Sequence, residues 1–173
     1  MRKVTLITLA MVMIFALAAC NTTNDPSVNP DDSATVKVNT VELPAEDPFM
    51  KVTIPEGWEY NEARSTSSQV YITKIDSSYP EQVFQFNKSS DDAQEAYDSS
   101  LAFWKESRTE MEDKMYGFAT YKRLGFTWDS DAPSVCLYTD WDNHEGQSIE
   151  VNCFCIDPED DIIQELMQSV SYF

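Results

Sequence analysis

The chain of 173 residues carries 30 Asp and Glu against 12 Lys and Arg, a formal net charge of −18. A surface this negative repels phosphate backbones and anionic lipid headgroups, which excludes nucleic acid as a partner and a polybasic patch as a membrane hold. Charge of one sign also suits disordered chains, but aromatic residues make up 12% of this one. They gather with β-branched residues after position 40, and residues 40–173 are enough to bury one core.

Met1-Arg2-Lys3 opens the chain, and the uncharged run VTLITLAMVMIFAL follows. A positive start ahead of an apolar run too short for a comfortable span of about 20 residues is the layout of a secretory signal. Leu17-Ala18-Ala19-Cys20 then resembles the bacterial lipobox, in which small residues stand immediately before a cysteine. That resemblance implies that residues 1–19 are a signal peptide, cut off before Cys20, and that the Cys20 thiol carries a diacylglyceryl group. Cysteine suits this role because its thiolate is nucleophilic enough to form a thioether near neutral pH. Each buried methylene contributes about 0.8 kcal/mol, and two acyl chains hold stably where one binds reversibly. The expected location is therefore the extracytoplasmic face of the cell membrane, with the lipid on Cys20 as the anchor. Arg2 and Lys3 leave with the signal, so the mature chain carries −20.

Residues 20–39 comprise the lipidated cysteine and a stretch rich in Asn, Thr, Asp, Pro and Ser, which reads as a flexible tether. A coil of that length spans roughly 20–25 Å root-mean-square. The domain occupies residues 40–173, entered through a weak first strand in ATVKVNTVEL. Met50, Val52 and Ile54 then alternate with polar residues as a half-buried strand, which Pro55-Glu56-Gly57 stops before Trp58 begins another. SQVYITKI and EQVFQF predict two strands around the turn DSSYP. From Ser89 to Met115 the period changes. Ala93, Ala96, Tyr97, Leu101, Trp104, Met111 and Met115 fall mostly three or four apart, predicting one long amphipathic helix with the Met and Trp stripe in the core.

YGFATYKRLGFTWD returns to strand, with Phe118, Leu124, Phe126 and Trp128 on one alternation. SVCLYTDW and QSIEVNCFCI flank DNHEG as a hairpin. In DPEDDIIQELMQSVSYF, Asp157 is the expected cap and Pro158 the first helical residue. Ile162, Ile163, Leu166, Met167 and Val170 form the expected buried side. Strands, a helix, a strand meander and a terminal helix predict an α+β fold, an antiparallel β-sheet with helices packed on it.

FMKVTIPEGWEY, the helix, the meander and the ending IIQELMQSVSYF together resemble the PsbP-like superfamily and its DcrB-like bacterial lipoprotein relatives. The pattern there is an apolar strand, Pro-x-Gly-Trp, and a terminal helix ending in Ser-x-x-Phe. Pro55, Gly57 and Trp58 match its first part. The ending departs from it: Ser169 is followed at the right spacing by Tyr172, and Phe173 has Val170 where the serine would stand. The resemblance covers residues 40–173 and implies a PsbP-like α/β/α sandwich with a non-catalytic binding or assembly role. No binding residue carries over, because the matching positions build the fold.

Chemistry-bearing patterns are sparse. No G-x-S-x-G occurs, the one histidine, His144, sits in a turn sequence, and four scattered glycines make no phosphate loop. The reading is a protein that is not an enzyme and needs no cofactor. Asp129 with Asp131, Asp140 with Asp142, and the run from Asp157 to Asp161 offer oxygen-rich loops, so an acidic calcium-binding surface lipoprotein is one alternative. None fits the EF-hand loop, since the sixth position from Asp140 is Glu145 and not glycine. An enzyme of unrecognised type, which would need a deep pocket with a perturbed titratable group, is the other alternative.

Cys136, Cys153 and Cys155 remain after lipidation. They read as small buried hydrophobes, with a disulfide from Cys136 to one of the pair as the alternative. The C-x-C spacing on a strand places Cys153 and Cys155 on one face, but it is too tight for a zinc site, which wants further ligands. Trp58 and Trp141, near strand ends, are the candidate partner contacts. The expected partner is an envelope or membrane protein near the membrane, met by a monomeric domain.

Overall fold

Alternation of apolar and polar side chains governs most of the chain from residue 40 onward. A computed structural model describes residues 40–173 apart from Ser78 and Ser130. The expected signal peptide, the expected lipidation site Cys20 and the expected tether lie outside the described residues. The elements run β1 (Thr40–Leu43), β2 (Met50–Thr53), β3 (Trp58–Tyr60), β4 (Gln69–Lys74), β5 (Val83–Ser89) and α1 (Ala93–Phe103). They continue through β6 (Arg108–Tyr116), β7 (Ala119–Trp128), β8 (Ala132–Asp140), β9 (Ser148–Phe154), α2 (Asp161–Gln168) and β10 (Ser171–Tyr172). This is an α+β fold. A three-stranded sheet has the order β1-β2-β10 and a seven-stranded sheet the order β3-β4-β5-β9-β8-β7-β6. All the strand pairs are antiparallel.

The large sheet has two unlike faces because its strands alternate. On one face Val70, Ile72, Phe84, Phe86, Val135, Leu137, Ile149, Val151 and Cys153 join the main core with Met50 and Val52 of β2 and Ile163, Leu166 and Met167 of α2. Each fully buried large side chain there contributes about 1.5–3 kcal/mol. On the other face a smaller cluster joins Ala93 and Tyr97 of α1 to Leu124, Cys136 and Tyr138. Helix α1 packs over β7, β8 and β9. That leaves the same face of β4 and β5 without a helix on it, which positions the site described below.

The strand expectations over 40–89 and 119–154 hold, and Gly57 takes the left-handed φ of +81° that the turn between β2 and β3 requires. The long helix does not hold. Helix α1 ends at Phe103 with Trp104 as its C-cap, and residues 108–116 form the edge strand β6. Trp104 and Met115, expected in the core, are exposed. A register shift between Met111 and Lys114 explains the misleading period. A β-bulge resets the alternation, so inward positions fall three apart and imitate a helix.

Phe118 lies in the turn between β6 and β7 rather than in a strand, and Tyr121 is the buried aromatic of β7. The cap of α2 is Asp160, which accepts from Ile162 N, while Asp157 accepts from Glu159 N ahead of the helix. Ser169 ties the end of α2 to β2, its hydroxyl accepting from Thr53 N at 3.0 Å. Tyr172 of β10 reaches the Tyr121 hydroxyl at 3.3 Å.

Candidate functional site

Register rows across the large sheet build the uncovered face. In one row Leu124, Cys136, Asn152, Gln85 and Tyr71 lie side by side on β7, β8, β9, β5 and β4. In the next, Lys122, Tyr138, Glu150, Asn87 and Gln69 do the same. Each row changes character along its length. The β7 and β8 members Leu124, Cys136 and Tyr138 lie under α1, whereas the β9, β5 and β4 members are amides, a carboxylate and a phenol.

These polar side chains brace one another. Gln85 Nε2 donates to Tyr71 Oη and to Asn87 Oδ1, both at 2.9 Å. Gln69 Nε2 donates to the same Asn87 oxygen at 3.1 Å. At the buried end Arg108 donates to Cys136 Sγ at 3.2 Å, Cys136 Sγ to Asn152 Oδ1 at 2.6 Å, and Asn152 Nδ2 to Glu150 Oε1 at 2.6 Å. Burial pushes the Cys136 thiol up to about 12, although the Arg108 guanidinium pulls it down. It is thus a neutral donor within this chain of contacts and not a nucleophile.

Aromatic rings wall one end of the face. Trp128 is 53% exposed and packs on Phe154 with ring centroids 5.0 Å apart. Phe126 meets Phe154 edge-on at 5.9 Å, and the Arg108 guanidinium lies 3.9 Å above the Phe126 ring. Across the face the Arg64 guanidinium sits 4.7 Å from the Tyr71 ring centroid and pairs with Glu81 at 2.8 Å. Between these walls lies a cavity of about 450 Å³ lined by Arg64, Tyr71, Glu81, Gln85, Trp128 and Phe154, among others. Concave surfaces of roughly 300–1,000 Å³ that combine aromatic rings with a few polar groups are the usual form of small-ligand sites.

The residues singled out from sequence lie elsewhere. Trp58 is 7% exposed and packs on Phe84 with centroids 4.9 Å apart. Trp141 is likewise 7% exposed, stacks on His144 at 3.7 Å, and donates its indole N–H to the Phe173 carbonyl at 2.7 Å. Both indoles belong to the core and sit apart from the aromatic cavity, Trp141 lining a second hollow beside α1. His144 is half-buried, and its Nε2 also lies 3.0 Å from the Phe173 oxygen.

A wider hollow of about 950 Å³ lies beside the start of α1 and includes Asp92, Asp140, Asp142 and Glu145 in its lining. Two of those carboxylates are engaged by the helix, Asp92 accepting from Glu95 N and Asp140 from Ala93 N. Among the described residues no group of three or more His, Cys, Asp or Glu side chains is gathered as a metal site. Cys136, Cys153 and Cys155 are free and buried. Cys136 pairs with Asn152, one residue away from Cys153, so their side chains leave opposite faces of the sheet. Cys155 lies beyond β9 with φ +56°, its N–H donating to Ser134 Oγ, which breaks the alternation expected to align it with Cys153.

Sequence reasoning set Trp128 on one alternation with Leu124 and Phe126 and gave it no role of its own. It lies on their face of the sheet, in the part that α1 does not cover. The available signal was in β4 and β5, where Gln69, Tyr71, Gln85 and Asn87 occupy every second position opposite Val70, Ile72, Phe84 and Phe86.

No family model matches the chain, and no curated protein does. A crystal structure from Bacteroides thetaiotaomicron VPI-5482 is similar in part, with a TM-score of 0.44 and 10% sequence identity, over 72% of this chain. The chain spans 45% of that protein's length. A likeness of that degree carries no argument about function.

Proposed function

We propose that the protein is a membrane-anchored extracytoplasmic lipoprotein whose domain is a non-catalytic binding module. The observation that carries the binding role is the concavity over β4, β5 and β9, where exposed aromatic rings and braced amides converge. The anchoring role rests on Leu17-Ala18-Ala19-Cys20 after a short apolar run. We read the fold as a PsbP-like sandwich, in keeping with α1 on one face of the large sheet and α2 with the small sheet on the other. On this reading residues 20–39 are the tether, and a reach of roughly 20–25 Å keeps the bound component within the envelope close to the membrane. Tethering raises effective concentration, so weak intrinsic affinity suffices.

The experiment has two arms. Wild-type cells fed labelled fatty acid are expected to label the chain and retain it in the membrane fraction, and Cys20→Ala to lose both. Undiminished labelling of the variant overturns the anchor. In the second arm a photo-crosslinker at Tyr79, which is 73% exposed beside the cavity, is expected to capture an envelope component. The same group at Glu112, on the edge strand β6 and outside the cavity lining, is expected to capture none. Equal capture from both positions, or none from Tyr79, overturns the module.

A further inference from the structure

Building on the binding-module reading, we infer that the aromatic cavity takes an uncharged saccharide. The hydrogen-bonding capacity left on the face points that way. Gln85 directs Nε2 to two protein partners, and its Oε1 finds none among the described residues. Tyr71 Oη accepts from Gln85 and keeps its own proton to donate. An acceptor and a donor therefore stand side by side, and a hydroxyl, being both, satisfies the pair. Neither an ammonium, which only donates, nor a phosphate dianion, which only accepts, does so. The adjoining Gln69 Oε1 and Asn87 Nδ2 also find no partner among the described residues and repeat the pattern, which suits a ligand with hydroxyls along its edge.

Charge gives the same answer by a separate route. Arg64, the cation of the lining, is paired with Glu81, and Asp129 adds a negative charge that forms no ion pair among the described residues. Anionic ligands are repelled, and the excess of a single charge in a chain at −18 gives a cation no particular advantage over the surrounding surface. Trp128 supplies the remaining requirement. Its ring is half-exposed and packs against Phe154, whose ring in turn meets Phe126, so it is an ordered flat surface and not a loose one. The C–H face of a pyranose is apolar while its edge is ringed with hydroxyls, and it matches a ring wall beside an amide floor.

The test uses the full mature chain in detergent with its anchor intact. It is run in native gels cast with a soluble β-glucan, an α-glucan, a xylan, a galactomannan or heparin, and titrated with N-acetylglucosamine oligomers while tryptophan fluorescence is followed. At least one neutral glycan is expected to retard the chain or shift its fluorescence, and heparin is not. Trp128→Ala and Gln85→Ala are each expected to weaken that binding about tenfold or more, and Trp128→Phe to restore part of it. Unchanged thermal melting of the variants shows that they remain folded.

No response to any neutral glycan, stronger retardation by heparin, or wild-type affinity in Trp128→Ala overturns the inference. The crosslinker at Tyr79 separates the two failures. Capture of a protein or peptide there, with every glycan blank, removes the saccharide and leaves the module. A Tyr79 crosslinker that captures nothing, with every glycan blank, removes both.

Discussion

Cys136 donates to Asn152 and receives Arg108, and burial outweighs the pull of the Arg108 guanidinium and raises its thiol from 9.0 to about 12. Burial likewise raises the phenols of Tyr116 and Tyr121 from 10.0 to about 12. All three groups are neutral when protonated, so the unfolded chain ionises first as pH rises and then binds fewer protons than the native one. Their stabilisation is complete below the unfolded values and is lost between about pH 9 and 12. Urea melts at rising pH are expected to show falling stability over that window, with phenolate absorbance of these tyrosines appearing only as the protein unfolds. Titration of all the phenols in an intact fold contradicts the burial argument. The two classes of indole divide in the same way. Trp58→Ala removes a ring packed on Phe84 and is expected to cost about 3–5 kcal/mol in a denaturant melt. Trp128→Ala removes a half-exposed ring and is expected to change stability by only about 0.5 kcal/mol.

Helix α2 is fastened by charge as well as by Ile163, Leu166 and Met167. Arg123, buried on β7, donates to Pro158 O and to the Glu159 carboxylate, which Lys114 Nζ also reaches at 3.0 Å. The Arg123 and Lys114 contacts hold the Glu159 carboxyl below its usual range. That stabilisation is present above the unfolded carboxyl value of about 4.3 and disappears as pH falls through the lower native one. Glu159 is largely exposed, which screens the pair, but its removal leaves a buried guanidinium short of a partner. Glu159→Gln is expected to cost about 1–2 kcal/mol at pH 7, with the two proteins converging in stability below about pH 4. A difference independent of pH assigns the effect to packing instead. This clasp was not legible beforehand, because Arg123 of β7 and Lys114 of β6 meet the segment before α2 only in the fold, and the period around Lys114 reads as helix. The apolar side of α2 was legible, since Ile163, Leu166 and Met167 keep a true 3.6-residue period. Strand β6 was not, because its bulge conceals the two-residue period. The cavity needs the order β4-β5-β9-β8-β7, which sets Phe154 beside Val83 and Trp128 opposite Ala132. Alternation fixes which side of a strand is polar, but not which distant strand lies next to it.

Across the domain the dominant unbalanced quantity is charge. Against −18 in the full chain, the described residues hold four ion pairs, and most of their members are well exposed. Self-repulsion therefore opposes the compact state, and counterions relieve it over a Debye length of about 10 Å at 0.1 M salt. Added sodium chloride is expected to raise the melting temperature by a few degrees, about what 1 kcal/mol produces in a domain of this size. Divalent cations test whether any of this acidity is organised. Asp140, Asp157 and Asp160 each accept from a backbone N–H, and Asp131 is held at φ +60° in the turn between β7 and β8. The acids first suspected of binding calcium are thus, in part, turn and cap residues whose oxygens are already engaged. Calcium and magnesium at matched ionic strength are accordingly expected to raise the melting temperature equally, with no saturation at stoichiometric metal. Magnesium keeps its waters and screens from outside, whereas calcium exchanges them for six to eight protein oxygens. A saturable shift with calcium that magnesium does not reproduce demonstrates a built cation site and restores the calcium-binding reading over that of a merely solvated acidic surface.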